Sequence, residues 1–476
     1  MEGIVKTKLY RLILPLLLSS AVAAPAATIT AASGNPIDVQ TAIKSAADGD
    51  TVIIPNGHYT WHRGVVIAGK TIHLLGQSKG GVVITNHLTG GFAVDVTKSS
   101  TGYQEVADLK FIGTTVTNSW GSAHVSVGGA TGGLPVLIHD NTFLSAPDGG
   151  YMSYCITMYD NGSVIWNCDF QANGNDITGI QFYSQPSDWT YPETLGMDDS
   201  GGTHNTYVEN CTFEGGYIAC SNFDDNSRVC WRHNTMTNST VTNHGCESSP
   251  YGCRQWDIYN NVFVYNGNDS SSSGLQDWFL MRGGTGTIHD NAMPGIPWKG
   301  AIGLAVYSLC KPSQIPPPAV NASRSAYPAC RQIGQGWGGG AASHGYTYID
   351  QNGGNYPPNN PDAAIIRWGN SVGMGYQANS ALSNAGYILD PIRIWNNRAA
   401  DGSILSDTNY PGYTYGYVGL DDYAGSSDAL PTGQDESTYV QENRDYYVNV
   451  ARPNYAPYTY PHPLRSRAVA SSPATK

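Results

Sequence analysis

Charged side chains are scarce in this sequence except in one stretch near its middle. They make up 13% of the 476 residues. Between positions 222 and 282, however, acidic, basic and imidazole groups recur at short intervals, namely Asp224, Asp225, Arg232, His244, Asp277 and Arg282. In a chain so poor in charge, this concentration predicts a site for acid–base chemistry.

One reaction that would use these groups is elimination next to a uronate carboxylate. It needs a base to remove the proton beside the carboxylate and a positive charge to neutralise that carboxylate. In this interpretation Arg232 or Arg282 is the base, and each arginine lowers the pKa of the other. Asp224 and Asp225 would hold Ca²⁺, which prefers oxygen ligands.

Inverting hydrolysis of a glycoside is the alternative reaction. It needs two carboxyl groups roughly 6.5–9.5 Å apart, one acting as acid and the other as base. Asp224 and Asp225 are the candidates for that pair, and His244 and Asp277 are further catalytic candidates in either interpretation. An adjacent Asp pair is also common in plain turns, so a structural role stays open.

The N-terminal segment predicts export. Lys6, Lys8 and Arg11 precede an apolar run over 12–23, and small residues that suit a signal peptidase follow. We therefore interpret residues 1–23 as a cleaved signal peptide, and no later stretch reaches the roughly 18 apolar residues that a membrane helix needs. The formal net charge of −12 disfavours nucleic-acid binding. We expect a secreted monomer without membrane or nucleic-acid partners.

The cysteines agree with an oxidising compartment. The chain contains nine of them, so at least one is unpaired. Cys246 and Cys253 bracket a short loop, and Cys310 and Cys330 bracket a proline-rich segment. Each of these two pairs is predicted to form a disulfide.

A sequence repeat predicts the element that would position the charged groups. Alternating apolar residues, a polar pair, one spacer and then Phe or Met recur, ending at Phe143, Phe170, Phe213, Met236, Phe263 and Met293. Five positions earlier stand the apolar residues Ile138, Ile165, Val208, Trp231, Ile258 and Ile288. A base period in the twenties with period-two alternation inside it is typical of a β-solenoid, in which each coil pairs with the next.

A second column of the repeat is polar. Two residues before the Phe or Met stand Asn141, Asn234, Asn261 and Asn291, and Cys168 and Cys211 share their position. We expect the amides to bond one another from coil to coil and the two thiols to be buried. In a neighbouring column Arg232 follows Glu209 by one coil, so a structural ion pair is an alternative to a catalytic Arg232.

The first coils complete the pattern. Residues 38–46 predict a short amphipathic helix that would cover the open end of the solenoid, and strands follow at 51–55 and 70–76. With its repeat and these elements, the chain resembles the pectate-lyase-like superfamily of right-handed parallel β-helix proteins. The resemblance extends over roughly residues 28–300 and returns at 391–397.

The resemblance implies an all-β chain in which residues 24–476 form a single parallel β-helix domain. The repeat is lost between 296 and 390, which predicts a long, loop-rich insertion. The segment 446–476 is rich in Tyr and Pro over its first part, and it predicts an extended tail along the surface of the helix.

An acidic polysaccharide is the partner that this resemblance implies, while the reaction stays open because lyases, hydrolases, epimerases and adhesins share the scaffold. A lyase that acts on a uronate polysaccharide is the first interpretation. A polygalacturonase-type hydrolase is the second, because Asp224-Asp225 followed by His244-Gly245 resembles the arrangement in those enzymes, although Asn243 replaces a Gly. A non-catalytic glycan-binding adhesin is the third.

Overall fold

Short strands wind into three long parallel sheets, and successive coils add neighbouring strands to each sheet. The structure is a computed structural model that describes residues 26–114, 123–129, 132–144, 154–172, 178–184, 195, 198–215, 220–224, 226–244, 253–266, 277–295, 299–305, 335–337, 387–389, 391–410, 416–421, 440–443 and 445–471. Strands are numbered β1 to β32 and helices α1 and α2, both in chain order.

The first sheet contains β1 (Thr28–Thr30), β2 (Thr51–Ile54), β5 (His73–Gly76), β8 (Gln104–Ala107), β11 (Val136–His139), β14 (Ser163–Trp166), β17 (Thr206–Glu209), β20 (Arg228–Arg232), β23 (Gln255–Tyr259), β26 (Thr285–His289), β30 (Ile392–Trp395) and β32 (Tyr446–Val448). The second contains β4 (Val65–Ile67), β7 (Phe92–Thr97), β10 (Ala123–Gly128), β13 (Tyr154–Met158), β16 (Thr178–Phe182), β19 (Ser221–Phe223), β22 (Val241–Asn243), β25 (Phe279–Met281), β27 (Gly300–Ala305) and β31 (Gly416–Asp421). The third contains β3 (Gly57–Trp61), β6 (Val82–Asn86), β9 (Leu109–Gly113), β12 (Thr142–Leu144), β15 (Asp169–Gln171), β18 (Thr212–Glu214), β21 (Thr235–Thr237) and β24 (Val262–Val264). A separate antiparallel pair joins β28 (Gln335–Trp337) to β29 (Tyr387–Leu389).

The inward rows confirm the repeat. One row of the first sheet keeps its register from coil to coil and is fully buried; it comprises Ile138, Ile165, Val208, Trp231, Ile258 and Ile288. Phe143, Phe170 and Phe213 do the same in the third sheet, where successive ring centroids are 4.9 and 4.5 Å apart. Met236 and Phe263 continue that row. The predicted all-β parallel β-helix is therefore confirmed.

The Asn column forms the predicted ladder at the turn between the first and third sheets. The amide of Asn261 donates to Asn291 Oδ1 at 2.9 Å, and the amide of Asn291 donates to Asn397 Oδ1 at 2.9 Å. The residue before the column has a positive φ, as at Asp290 (φ 54°). Asn and Asp tolerate this left-handed conformation better than other non-glycine residues, which is why polar pairs recur here.

The described cysteines are buried free thiols. Cys168 and Cys211 lie in the ladder column as predicted. Cys253 is free, and burial raises the pKa of its thiol to about 12. The predicted Cys246–Cys253 disulfide is therefore wrong, because Cys253 points into the apolar core. Cys246, Cys310 and Cys330 lie outside the described residues.

The N-terminal helix predicted from the sequence is α1 (Pro36–Ser45), and it lies beside the first coils. Its Gln40 side chain donates to Val66 O at 3.1 Å and accepts from Val66 N–H at 2.7 Å. Lys70 Nζ donates to Ala46 O at 2.7 Å, just beyond the helix end. The two Gln40 bonds tie α1 to β4, the edge strand of the second sheet.

The structure describes most of the predicted C-terminal tail but not the predicted N-terminal signal segment. The second helix is α2 (Arg465–Ser471), at the end of the predicted tail. Within the described residues, neither helix has the length and apolar character needed to cross a membrane. The predicted signal segment 1–23 and most of the predicted insertion 296–390 lie outside the described residues.

Candidate functional site

A row of reactive side chains follows the carboxyl ends of successive second-sheet strands. The pairing register places at this position Tyr159, Tyr183, Asp224, His244 and Arg282. Backbone N–H groups of Tyr183, Asp224 and His244 donate to the carbonyl at the strand end one coil earlier, at 2.6, 3.2 and 2.8 Å. Adjacent coils lie about 4.8 Å apart, so these side chains form one line, here named the strand-end row.

The centre of the strand-end row pairs an imidazole with a buried carboxylate. His244 Nδ1 lies 3.6 Å from Asp224 Oδ2, and the Asp224 side chain is only 5% exposed whereas that of His244 is 21% exposed. The next coil adds Arg282, which is half-buried and whose Nε donates to Asn243 O at 2.7 Å. A buried carboxylate can orient an imidazole for proton transfer, and a guanidinium beside it can bind an anion.

Aromatic rings continue the strand-end row toward the N-terminal coils. The rings of Tyr183 and Tyr159 stack with centroids 5.7 Å apart, and Tyr159 meets Phe92 edge-on at 6.0 Å. The hydroxyls of Tyr154 and Tyr183 are 3.4 Å apart. Phe92 and Tyr154 begin their strands whereas Tyr159 and Tyr183 follow theirs, so the rings meet above the middle of the sheet.

Beneath these rings lies a row of buried polar side chains on the outer face of the second sheet. The row, here named the polar floor, comprises Ser126, Thr157, Gln181, Asn222 and Thr242. Asn222 Nδ2 donates to Gln181 Oε1 at 2.9 Å. Among the described residues, Asn222 Oδ1 and Thr157 Oγ1 have no hydrogen-bond partner. Buried polar atoms without partners are costly in free energy, which favours a polar ligand or water over this floor.

Arg232 does not lie in this groove, which corrects the prediction that placed it beside Arg282. It lies on β20 of the first sheet, fully buried, and its Nη2 lies 2.5 Å from Glu209 Oε1. Its guanidinium also donates to Tyr458 O at 2.6 Å and to Thr459 O at 2.7 Å. The C-terminal tail (residues 446–471) therefore covers it.

The prediction that Arg232 and Arg282 lower each other's pKa is also wrong, because the two arginines lie on different sheets. Burial alone would lower the pKa of Arg232, but its neighbours, including Glu209, outweigh burial and raise it. A guanidinium held in this way keeps its proton and is not a base. The structural ion pair that the sequence left as an alternative is the one observed.

Asp277 is also separated from the strand-end row. It precedes β25 whereas Arg282 follows it, and the five residue steps between them span roughly 16 Å when extended. Asp277 is buried, and its backbone carbonyl accepts from Thr240 Oγ1 at 2.8 Å. Asp225 lies outside the described residues. The structure therefore brings together Asp224, His244 and Arg282 from the predicted set.

The described residues do not complete a calcium site. They contain no group of three or more His, Cys, Asp or Glu side chains that could hold a metal ion. Asn222 Oδ1, which has no partner among the described residues, and Asp224 two residues later offer oxygen donors. Calcium requires six to eight oxygen ligands, so these two do not suffice and we derive no step through the metal.

Tyr159 and Tyr183 are the members of the row that the sequence analysis missed. The repeat was aligned on the Phe or Met of the third sheet, and the distance from there to the second-sheet strand varies with loop length. A local signal does exist. At the end of each of these second-sheet strands, the reactive residue is the last of three, and the triplets read TMY, QFY, NFD, TNH and LMR. Aligning these triplets would have placed both tyrosines in the row with Asp224, His244 and Arg282.

Comparisons with known proteins give similar structures but no matching sequence. No family model and no curated protein matches this chain. An alginate lyase from Paenibacillus sp. str. FPU-7 is similar in structure at 16% identity and a TM-score of 0.40, over 59% of this chain and 90% of that one. A PL6 family polysaccharide lyase from Pseudopedobacter saltans matches at 10% identity and a TM-score of 0.40, over 87% of this chain and 98% of that one.

A different enzyme class appears in the same comparison. A pectin methylesterase mutant in complex with a hexasaccharide matches at 10% identity and a TM-score of 0.30, over 86% of this chain and 99% of that one. At such identities the likenesses concern the fold alone. The reaction must therefore be inferred from the side chains of this chain.

Proposed function

We propose that this protein is a polysaccharide lyase that cleaves a uronate-containing polysaccharide by β-elimination at the strand-end row. The observation that carries the proposal is the His244 imidazole, 3.6 Å from the buried Asp224 carboxylate, with Arg282 in the next coil. An acidic polysaccharide would present a carboxylate to Arg282 and the proton beside it to His244. The stacked Tyr159 and Tyr183 rings would support neighbouring sugars.

The reaction would proceed in one proton cycle on His244. Its Nε2 takes the proton from the carbon beside the carboxylate, and Arg282 stabilises the charge that develops on that carboxylate. The electron pair forms the carbon–carbon double bond and expels the glycosidic oxygen. His244 returns its proton to that oxygen, so one chain ends in an unsaturated sugar and the other in a hydroxyl. The Asp224 carboxylate, 3.6 Å from Nδ1, stabilises the charged form of the ring.

Hydrolysis is the second candidate and is less well supported. An inverting hydrolase needs two carboxyl groups roughly 6.5–9.5 Å apart. Among the described members of the strand-end row, only Asp224 carries a carboxyl group.

Export, a monomeric state and a calcium requirement remain parts of the proposal. Loss of activity on chelation, with recovery in added Ca²⁺, would support the calcium requirement.

The test is a panel of uronate polymers incubated with the full chain while the absorbance of unsaturated sugar ends is followed. His244→Asn should lower turnover on the accepted polymer at least about 10²-fold, because general-base catalysis contributes roughly 10²–10⁴-fold. His58→Asn is the matched control, since His58 is exposed on β3 of the third sheet. Its turnover should equal that of the native chain.

Each of three outcomes would contradict the proposal. New reducing ends without unsaturated ends would identify a hydrolase. Tight binding of a polymer with no product of either kind would identify a glycan-binding protein. Full activity in His244→Asn would remove this residue from the mechanism.

A further inference from the structure

A cavity opens on the outer face of the second sheet, beside the first two strands of that sheet, β4 and β7. Its volume is about 350 Å³, and it is lined by His62, Arg63, Leu88, Phe92 and Asp95 together with glycines. The side chains of His62 and Arg63 are exposed. This cavity is here named the Arg63 pocket.

The backbone next to Arg63 packs on the backbone of Phe92, and both residues line the pocket. A Cβ added at Gly64 would lie 1.9 Å from Phe92 O, so the chain that follows Arg63 must pack directly on β7. Only glycine permits this approach. The position of Arg63 at the pocket therefore depends on close packing between two adjacent strands.

The charge of the pocket suits an anionic sugar. Among the described residues, no acidic side chain pairs with Arg63. The one carboxyl group in the lining is Asp95, which is half-buried; burial raises its pKa, against a smaller opposing effect of its hydrogen bond to Ser126. An exposed guanidinium beside an aromatic ring can bind a carboxylate through two donors while the ring supports the sugar.

Aromatic side chains connect this pocket to the strand-end row. Phe92 lines the pocket and lies 6.0 Å from Tyr159, whose ring stacks on Tyr183 at 5.7 Å. The next coil after Tyr183 carries Asp224. Five coil steps separate β7 from β22, which places the pocket about 24 Å along the solenoid from the level of His244. A sugar polymer several residues long would span this distance.

We propose that the Arg63 pocket is a distal subsite that binds a uronate residue of the polysaccharide whose cleavage takes place at the strand-end row. The carboxylate lies on Arg63 and the sugar ring on Phe92. Its role in cleavage depends on the proposed function, whereas its role in binding does not. A long chain held at two places gains affinity over a short one, because its second contact is intramolecular.

The test compares Arg63→Ala with the native chain on a long uronate polymer and on its short oligosaccharides. Arg63→Ala should raise KM for the polymer about tenfold, the size expected for loss of a charge-assisted contact, with kcat unchanged. Kinetics on trisaccharides, which are too short to reach the pocket, should not change. Arg398→Ala is the matched control, because it removes an exposed arginine near the other end of the solenoid.

Binding measured in the His244→Asn background separates the two proposals. The additional Arg63→Ala change should weaken polymer binding about tenfold with an unaltered melting temperature. If no polymer yields unsaturated ends but this loss of binding is found, the subsite stands and the lyase proposal fails. Unchanged polymer binding and KM in Arg63→Ala, or an equal loss on polymer and trisaccharide, would overturn the subsite.

Discussion

The outer faces of the first and second sheets carry similar polar side chains and treat them in opposite ways. On the first sheet, the guanidinium of Arg232 is sealed beneath the C-terminal tail and bonded to Glu209. On the second sheet, Arg282 is half-buried one coil from His244. What lies over a sheet, and not the residue type, therefore decides whether an arginine supports the fold or faces a groove.

The covered face shows how buried charge is tolerated. Glu209 is fully buried, and its carboxylate accepts from Arg232, from the backbone N–H of His462 at 3.2 Å and from Arg465 at 3.1 Å. Tyr455 adds a hydroxyl 2.8 Å from Asp257. Each buried ion has several partners, as burial of charge requires. The tail is therefore part of the folded solenoid along this face.

The largest effect that would test this contrast is the loss of Arg232. Arg232→Ala leaves the Glu209 carboxylate buried without its main partner, which should cost about 3–5 kcal/mol of unfolding free energy. Denaturant unfolding measures this loss, and turnover per folded molecule should stay near the native value. A stable Arg232→Ala variant that has lost turnover would show that Arg232 belongs to the site after all.

The next effect concerns an imidazole on the covered sheet. Burial lowers the pKa of His139, but hydrogen bonds to Asp140 and Glu105 at 2.8 and 2.6 Å outweigh burial and raise it to about 9. This value exceeds the 6.5 of an ordinary histidine. The charged ring therefore stabilises the fold fully below about pH 6.5, and this stabilisation is lost as pH rises through about 9.

The size of this pH effect is on the order of 3 kcal/mol. Unfolding free energies measured between pH 6 and about 10 should fall accordingly. His139→Gln should remove this part of the pH dependence. An identical slope in the native chain and in His139→Gln would show that His139 is not charged in the folded protein.

The smallest of the three effects in free energy concerns Arg282 on the second sheet. Arg282→Ala should lower kcat/KM on a uronate polymer about 10²-fold, because it removes one group that stabilises charge in the transition state. The melting temperature should change little, since Arg282 is half-buried and Arg232 is sealed beneath the tail. A neutral polysaccharide, if bound at all, should show no such loss. Large destabilisation by Arg282→Ala would instead make the two arginines equivalent.

Local sequence patterns were sufficient to predict the parallel β-helix. The inward rows that contain Ile138 and Phe143 follow from period-two alternation within a few residues, and this alternation is a local property. The Asn ladder follows from one position per coil and from the left-handed turn residue before it. These features repeat, so each copy supports the assignment of the next.

Only the tertiary structure decided which charged groups meet. Loops of different length separate the three strands of each coil, so a spacing in sequence does not reveal which sheet a strand joins. Asp224, His244 and Arg282 share a sheet, whereas Arg232 belongs to another one. The Tyr458 carbonyl that accepts from the Arg232 guanidinium is 226 residues away in sequence. Contacts of such range depend on how the whole solenoid places its tail, and no local pattern of residues encodes them.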